Sequence, residues 1–225
     1  MARQCIGIDL GGTAIKFGLL SEDRRFGATV QRPTPTDRGA DGVVEQMVSG
    51  ARDLAERAAA DGDEVVAAGI GAPGPLRISD GVVVAMPNIP GMENVPIRDR
   101  VGEGLGLPAV LENDANAAAL GEFLCGAGQP SQDMVLLTLG TGLGSGIIVG
   151  GNILHGAHEM GAEIGHMIVQ PDGEPCGCGQ RGCLERYCSA TYMARRAARR
   201  IEREGATGPL AEALREKGEI DSRDV

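Results

Sequence analysis

Tryptophan is absent from this chain, and only two tyrosines and three phenylalanines occur among its 225 residues. Aromatic platforms on which nucleic-acid bases stack are therefore scarce. Positive charge is also short: 21 Lys and Arg stand against 31 Asp and Glu, a formal net charge of −10. A polyanion would be repelled rather than steered in, so no nucleic-acid partner is expected. Long apolar runs are missing as well, which excludes a membrane span and leaves no membrane partner expected. The first strand begins almost at once, with no basic segment, apolar core or cleavage site ahead of it, so a cytoplasmic location is expected. Stable disulfides are improbable in that reducing compartment, and the six cysteines need another explanation. Lysine is rarest among the charged residues, with only Lys16 and Lys217, and neither stands in the GK[ST] setting of a Walker A loop.

What is present is an ordinary globular composition, 42% hydrophobic, in a chain long enough for one or two domains. Residues 5–10 (CIGIDL) and 15–20 read as two strands joined by Gly11-Gly12-Thr13. Val43, Val44, Met47, Val48, Ala51, Leu54, Ala55 and Ala58 recur at helical spacing and predict an amphipathic helix over 41–60. A strand over 65–71 ends in the turn Ala72-Pro73-Gly74-Pro75. Further helices are expected at 97–106, 114–125, 189–204 and 208–217, and further strands at 108–112, 134–139 and 145–149. Strands alternating with helices predict an α/β architecture. A boundary is placed near residue 113, giving a small N-terminal α/β domain over 1–113 and a larger one, with a cysteine-rich loop, over 114–225. Arg195, Arg196, Arg199, Arg200 and Arg203, beside Glu202 and Glu204, read as a solvated helix face. Cys5 and Cys125 stand in apolar contexts and read as small buried residues. At the chain's end Ser222 reads as a helix N-cap with Asp224 in the first turn, a helix start with no helix behind it.

Four segments can carry chemistry. In Asp9-Leu10-Gly11-Gly12-Thr13-Ala14-Ile15-Lys16, the glycines let backbone N–H groups approach a phosphate, and Asp9 can hold Mg²⁺ through water. The same residues also suit a plain hairpin. A second glycine turn, Gly140-Thr141-Gly142-Leu143-Gly144, lacks GxGxxG spacing and a strand–turn–helix setting, so it is no dinucleotide fingerprint. Two such turns suggest a polyphosphate gripped from two sides, or two flexible hairpins. In Glu112-Asn113-Asp114-Ala115-Asn116, between strand and helix, Asp114 is either an N-cap or a general base kept ionised by the helix dipole. Asn113 and Asn116 offer amides suited to a polyol.

The fourth segment, CGCGQRGCLERYCSA (176–190), packs in Cys176, Cys178 and Cys183, with His166 ten residues upstream of the first. Three thiolates and one imidazole saturate tetrahedral zinc and leave no open position for water, which makes the metal structural. Cys188 is left over. His155 reads as a loop residue shaping the site rather than a ligand.

Taken together these segments resemble the ROK family of sugar kinases, and the glucokinases within it. The matching pieces are DLGGTAIK (9–16), GIGAPGP (69–75), PNIPG (87–91), ENDANAAALGE (112–122), LGTGLGSGIIVGG (139–151), GAEIGH (161–166) and CGCGQRGCLE (176–185). The resemblance implies an actin-like/ribonuclease H-like ATPase fold of two α/β domains with a cleft between them. It implies transfer of the γ-phosphoryl of ATP, with Mg²⁺, to a hexose, glucose to glucose 6-phosphate foremost. Fructose, mannose, N-acetylmannosamine or allose as substrate, and a catalytically silent sugar-binding module, are the alternatives. By the same resemblance Asp114 is the general base. Asn88, Asn113, Asp114, Glu163, His166 and Glu185 read the sugar. Gly11, Gly12, Thr13, Thr141 and Gly142 bind the phosphates, with Asp9 and Lys16 counted among the nucleotide residues. His166, Cys176, Cys178 and Cys183 hold the structural Zn²⁺. A homo-oligomer, dimer or tetramer, is implied too. Family members normally continue past this chain's end, and with the dangling cap at Ser222 this leads to the expectation that the C-terminal part of the second domain is missing. Transcriptional repressors of the family are expected to carry a DNA-binding helical domain ahead of the first strand, which counts against that class here.

Overall fold

A computed structural model describes residues 2–225. The chain divides into two compact units: one runs to Gln132 and takes in His155–Met160, and the other comprises Asp133–Leu154 and Gly161–Val225. The division therefore falls at 132/133, not at the expected 113/114. The reason is that the helix after residue 113 packs back on the strands that precede it, whereas the sequence reading placed its boundary only from the order of elements.

The first unit is built on a five-stranded sheet. Strands β1 (Arg3–Leu10), β2 (Ala14–Ser21) and β3 (Phe26–Pro33) follow one another antiparallel. Helix α1 (Gly39–Ala60) then returns the chain to β4 (Glu64–Ala72), which lies parallel to β1. A small second sheet follows, made of β5 (Leu76–Arg77), β6 (Val82–Ala85) and β7 (Glu93–Val95). Helix α2 (Ile97–Leu105) leads to β8 (Ala109–Asn113), parallel to β4, and α3 (Asp114–Cys125) closes the series. The sheet order is β3-β2-β1-β4-β8.

Period-two alternation decides which face is core. Ile6, Ile8 and Leu10 of β1 and Ile15, Phe17 and Leu19 of β2 are buried, and they meet Val43, Met47, Ala51 and Leu54 of α1. Each such large apolar side chain contributes roughly 1.5–3 kcal/mol relative to exposure, so this face anchors the unit. Cys5 shares the opposite face with Gly7 and Asp9 and is exposed, contrary to the buried role expected of it. The apolar run around it had masked the alternation. Strand β3, whose residues are mostly exposed, has no apolar alternation to read, and β5–β7 are only two to four residues long, although β6 is the apolar run VVVA.

Register fixes what lies at the sheet's carboxyl edge. Asp9 pairs with Gly71, Gly71 with Glu112, and Ala72 with Asn113. Three parallel strands thus deliver Asp9, Gly71 and the Glu112-Asn113 pair to one edge, the position at which open α/β sheets bind ligands.

The second unit has a three-stranded antiparallel sheet of β9 (Met134–Leu139), β10 (Leu143–Val149) and β11 (Asn152–Ile153). A short helical turn over Ile164–His166, the cysteine-rich loop, α4 (Glu185–Cys188), α5 (Ala190–Glu204) and α6 (Pro209–Lys217) follow. On α5, Arg199 pairs with Glu174, while Arg200 and Arg203 pair with Glu204, so this basic run is the solvated face expected. The final turn is organised by Asp221 and not by Ser222. The Asp221 carboxylate accepts from Arg223 N at 2.7 Å, and Asp224 accepts from Asp221 N at 3.0 Å. Among the described residues no helix is long and apolar enough to cross a membrane.

Candidate active site and metal centre

The Gly11–Thr13 turn joins β1 to β2, and Gly11 N donates to Ala14 O at 3.0 Å. A Cβ at Gly11 would lie 2.7 Å from that same oxygen, so the turn requires glycine there. Lys16, opposite Asp9 across the hairpin, donates to its carboxylate at 3.2 Å. A residue the sequence reading missed pins this loop from outside. Thr34 is buried; its hydroxyl donates to Gly11 O at 2.7 Å, and its N–H donates to Thr13 O at 3.0 Å. Lying between Pro33 and Pro35, it carried no signal beyond being a polar residue in a turn. Thr34→Val keeps the shape but removes the hydroxyl donor, and is expected to lower stability by about 1 kcal/mol in urea denaturation. Unchanged stability would mean the hydroxyl bond contributes nothing.

At the end of β8 the cap of the following helix falls to Asn113 and not to Asp114. Asn113 is the N-cap of α3: with extended backbone (φ −64°, ψ 143°), its side-chain oxygen accepts from Ala115 N at 3.0 Å and Asn116 N at 3.2 Å. Asp114 is the first helical residue, so its carboxylate is not consumed by capping, although it also accepts from Ala115 N at 2.8 Å. The residue keeps an exposed edge, yet the protein packed about its carboxylate raises its pKa by desolvation, and the nearby negative charge of Asp9 raises it further. The Ala115 N–H pulls in the other direction. Asn116 is buried, not turned toward a ligand as a polyol reader would be; its side-chain amide donates to Glu112 Oε1 at 3.0 Å. That same Oε1 accepts from Asn113 N at 2.8 Å, and Glu112 Oε2 lies 2.7 Å from His155 Nε2. Glu112 lies in a segment singled out from sequence, but its partnership with His155 carries no sequence signal, since 43 residues separate them. Asn88 sits exposed on a turn over Met86–Met92, whose ends are buried and joined by Met86 N to Met92 O at 3.0 Å.

In the second unit Gly140-Thr141-Gly142 forms a tight turn between β9 and β10, closed by Gly140 N to Gly142 O at 3.0 Å, with Thr141 exposed. A Cβ on Gly142 would stand 2.8 Å from the Glu185 carboxylate, so glycine here lets that side chain reach the turn. Glu163 and His166 lie on the adjoining helical turn, which Ser145 of β10 ties down. The Ser145 hydroxyl donates to Ala162 O and accepts from Ile164 N at 3.2 Å. Ser145 stands between glycines and gave no sign of this role.

His166, Cys176, Cys178 and Cys183 gather so that their ligand atoms all lie within 4.8 Å of one another. Cys178 Sγ and Cys183 Sγ are 3.6 Å apart, and Cys176 Sγ is 3.7 Å from His166 Nδ1. Those separations are too long for a disulfide, whose sulfurs sit about 2.05 Å apart. They match the edges of a zinc tetrahedron, about 3.8 Å between sulfurs for a Zn–S bond of about 2.3 Å. The loop earns its shape from backbone bonds: Cys176 N to Gln180 O at 2.8 Å and Gly182 N to Glu174 O at 2.8 Å. Gly182 has φ 79°, and a Cβ there would strike Gln170 O at 1.8 Å. Without a cation, burial foremost pushes the Cys176 thiol up to about 12 and raises Cys183, while the Gln180 N–H holds Cys178 low. Cys176 donates to Glu185 Oε1 at 3.0 Å, which joins Glu185 directly to the cluster. Cys188 lies outside it, donating to Leu184 O at 3.3 Å.

Residues 5–220 match the ROK family. The chain is 42% identical to a glucokinase of Thermotoga maritima over 89% of its own length and 60% of that protein's. A crystal structure of a ROK family glucokinase from Streptomyces griseus, in complex with glucose and AMPPNP, is 38% identical with a TM-score of 0.78, covering 98% of this chain and 69% of that one. A ROK family transcriptional regulator, a homologue of an E. coli protein, superposes with a TM-score of 0.79 at 27% identity, over 93% of this chain and 52% of the regulator. The chain thus spans about 60% of the length of the curated relatives it matches.

Proposed function

The chain belongs to the ROK family, with its actin-like α/β fold, and from that premise we propose that it phosphorylates a hexose with ATP, glucose to glucose 6-phosphate foremost. The observation that carries this reading is the division of roles at the start of α3. Asn113 caps the helix, which leaves the Asp114 carboxylate available to take a proton.

In the first unit the attacking sugar hydroxyl would give its proton to Asp114 as its oxygen bonds to the γ-phosphorus and the bond to ADP breaks. Asn88 and the free amide of Asn113 are assigned to sugar hydroxyls. Gly11, Gly12 and Thr13 are assigned to the phosphates, and Lys16 to the nucleotide side. Magnesium arriving with the nucleotide would neutralise the charge on the transferring group, and Asp9 is the residue assigned to it. In the second unit Thr141 and Gly142 are assigned to phosphate, and Glu163, His166 and Glu185 to sugar hydroxyls. His166, Cys176, Cys178 and Cys183 would hold a zinc ion that does no chemistry but fixes the imidazole through Nδ1, so that Nε2 is free to donate.

The test is a coupled ADP-release assay on the full-length protein with glucose, fructose, mannose, N-acetylmannosamine and allose. Glucose is expected to give the highest kcat/KM. No ADP release with any of the five sinks the kinase reading. The likeness to a transcriptional regulator favours, as a second reading, sugar binding without phosphoryl transfer. Saturable glucose binding with no ADP release would select it.

A further inference from the structure

Glu112 makes three hydrogen bonds to three separate pieces of the first unit. Its Oε1 accepts from the backbone N–H of Asn113, where β8 ends, at 2.8 Å. The same oxygen accepts from the side-chain amide of Asn116, in the first turn of α3, at 3.0 Å. Its Oε2 meets His155 Nε2 at 2.7 Å. The first two partners belong to the corner that carries Asp114. The third comes from His155–Met160, a segment grouped with the first unit although the residues on either side of it belong to the second. At its far end this segment is held again, by Ser79 N donating to the Glu159 carboxylate at 3.0 Å.

The Glu112 side chain is only 18% exposed, so its oxygens need these hydrogen-bond partners within the protein. Asn116 is buried at 3% exposure, and its Oδ1 already lacks a partner. Were Glu112 to swing away, the Asn116 amide would lose the one acceptor it has among the described residues, in a place where an unsatisfied polar group is costly. His155 is the donor from outside the corner, and therefore the one that fixes the carboxylate's rotamer independently of the turn it supports.

We infer that His155 is a positioning residue: by holding Glu112 it fixes the turn of Asn113 and Asn116 from which Asp114 projects. The inference rests on the kinase reading for its catalytic consequence, but the geometry can be tested without it. The side chain of His155 is 39% exposed, so His155→Ala leaves no buried cavity and the variant is expected to fold.

Two measurements on the full-length protein test the proposal. In hydrogen exchange without any ligand, His155→Ala is expected to speed exchange of the Asn113 amide about tenfold or more while α1 amides stay unchanged, because the opening is local. His155→Gln, which restores a donor, is expected to return most of that protection. In the ADP assay His155→Ala is expected to lower kcat about tenfold or more, with the KM for ATP unchanged, as a misplaced base would. His155→Gln should recover to within a few-fold of the parent. Unchanged Asn113 exchange in His155→Ala overturns the clamp. Faster exchange with an unaltered kcat in an active enzyme overturns its catalytic role. If the parent protein releases no ADP with any hexose, the kinase reading fails, while the exchange data still judge the clamp.

Discussion

Asp114→Asn is expected to lower kcat by about 10³-fold, within the range that a positioned base contributes, while glucose affinity changes by no more than a few-fold. The asparagine is nearly the same shape and can still hydrogen-bond a hydroxyl, but it has no place for the proton. Helix α3 should start unaltered in the variant, because its cap is Asn113. Stability carries a second signature. Desolvation and the charge of Asp9 raise the Asp114 pKa above its unfolded value. The raised pKa means that the protonated side chain suits the fold, and the stability it lends is lost as pH rises through the folded pKa. Asparagine mimics the protonated side chain, so Asp114→Asn should unfold at an equal or higher temperature than the parent at pH 7. The parent's kcat, by contrast, should fall on the acid side as Asp114 takes up its proton, and this limb should lie above the ordinary aspartate range. A variant that keeps more than a tenth of parental kcat would remove Asp114 from its role. A variant that loses activity because it melts early would refute the argument about the cap.

The second large effect concerns the metal. Stripping zinc with a chelator, or replacing Cys178 with serine, is expected to weaken glucose binding by about 10–100-fold, the scale on which support around a metal acts. Thermal stability should fall with it, because a structural zinc ion binds the folded state and its binding free energy becomes folding free energy. Both effects come from one piece of chain. In the proposed centre His166 would itself be a ligand, and Glu185 touches Cys176 Sγ and lies two residues past Cys183. Since the thiols must lose protons to bind and burial pushes Cys176 up to about 12 without a cation, metal uptake should strengthen as pH rises and release protons. Elemental analysis beside calorimetric glucose titration checks this, with about one zinc per chain expected. Full sugar affinity in zinc-free protein would defeat the account.

Much of the fold was legible because its signals are local. The glycine turn after CIGIDL, the helical spacing of Val43 to Ala58 and the cysteine spacing of 176–183 each lie within a short window. Strand β3 escaped because an edge strand with exposed residues has no apolar alternation to read. Cys5 faces outward although its neighbours are apolar, because an apolar run conceals which of its members face inward. At the candidate site, residue types could be read but not their partnerships. Thr34 reaches Gly11 across 23 residues, and His155 reaches Glu112 across 43. Which of Asn113 and Asp114 caps α3 depended on backbone angles at a single junction, which no composition encodes.

That junction also bears on how such a chain can change over evolutionary time. Where one side chain both starts a helix and performs chemistry, losing the chemistry damages the fold, and selection removes the intermediate. Under the proposed function the two duties would sit on neighbouring residues, Asn113 and Asp114. Aspartate and asparagine codons differ by a single transition, so the catalytic duty can be surrendered in one step with the helix start left whole. On that proposal the fold would have a short route from a turnover enzyme to a sugar sensor, and an equally short route back.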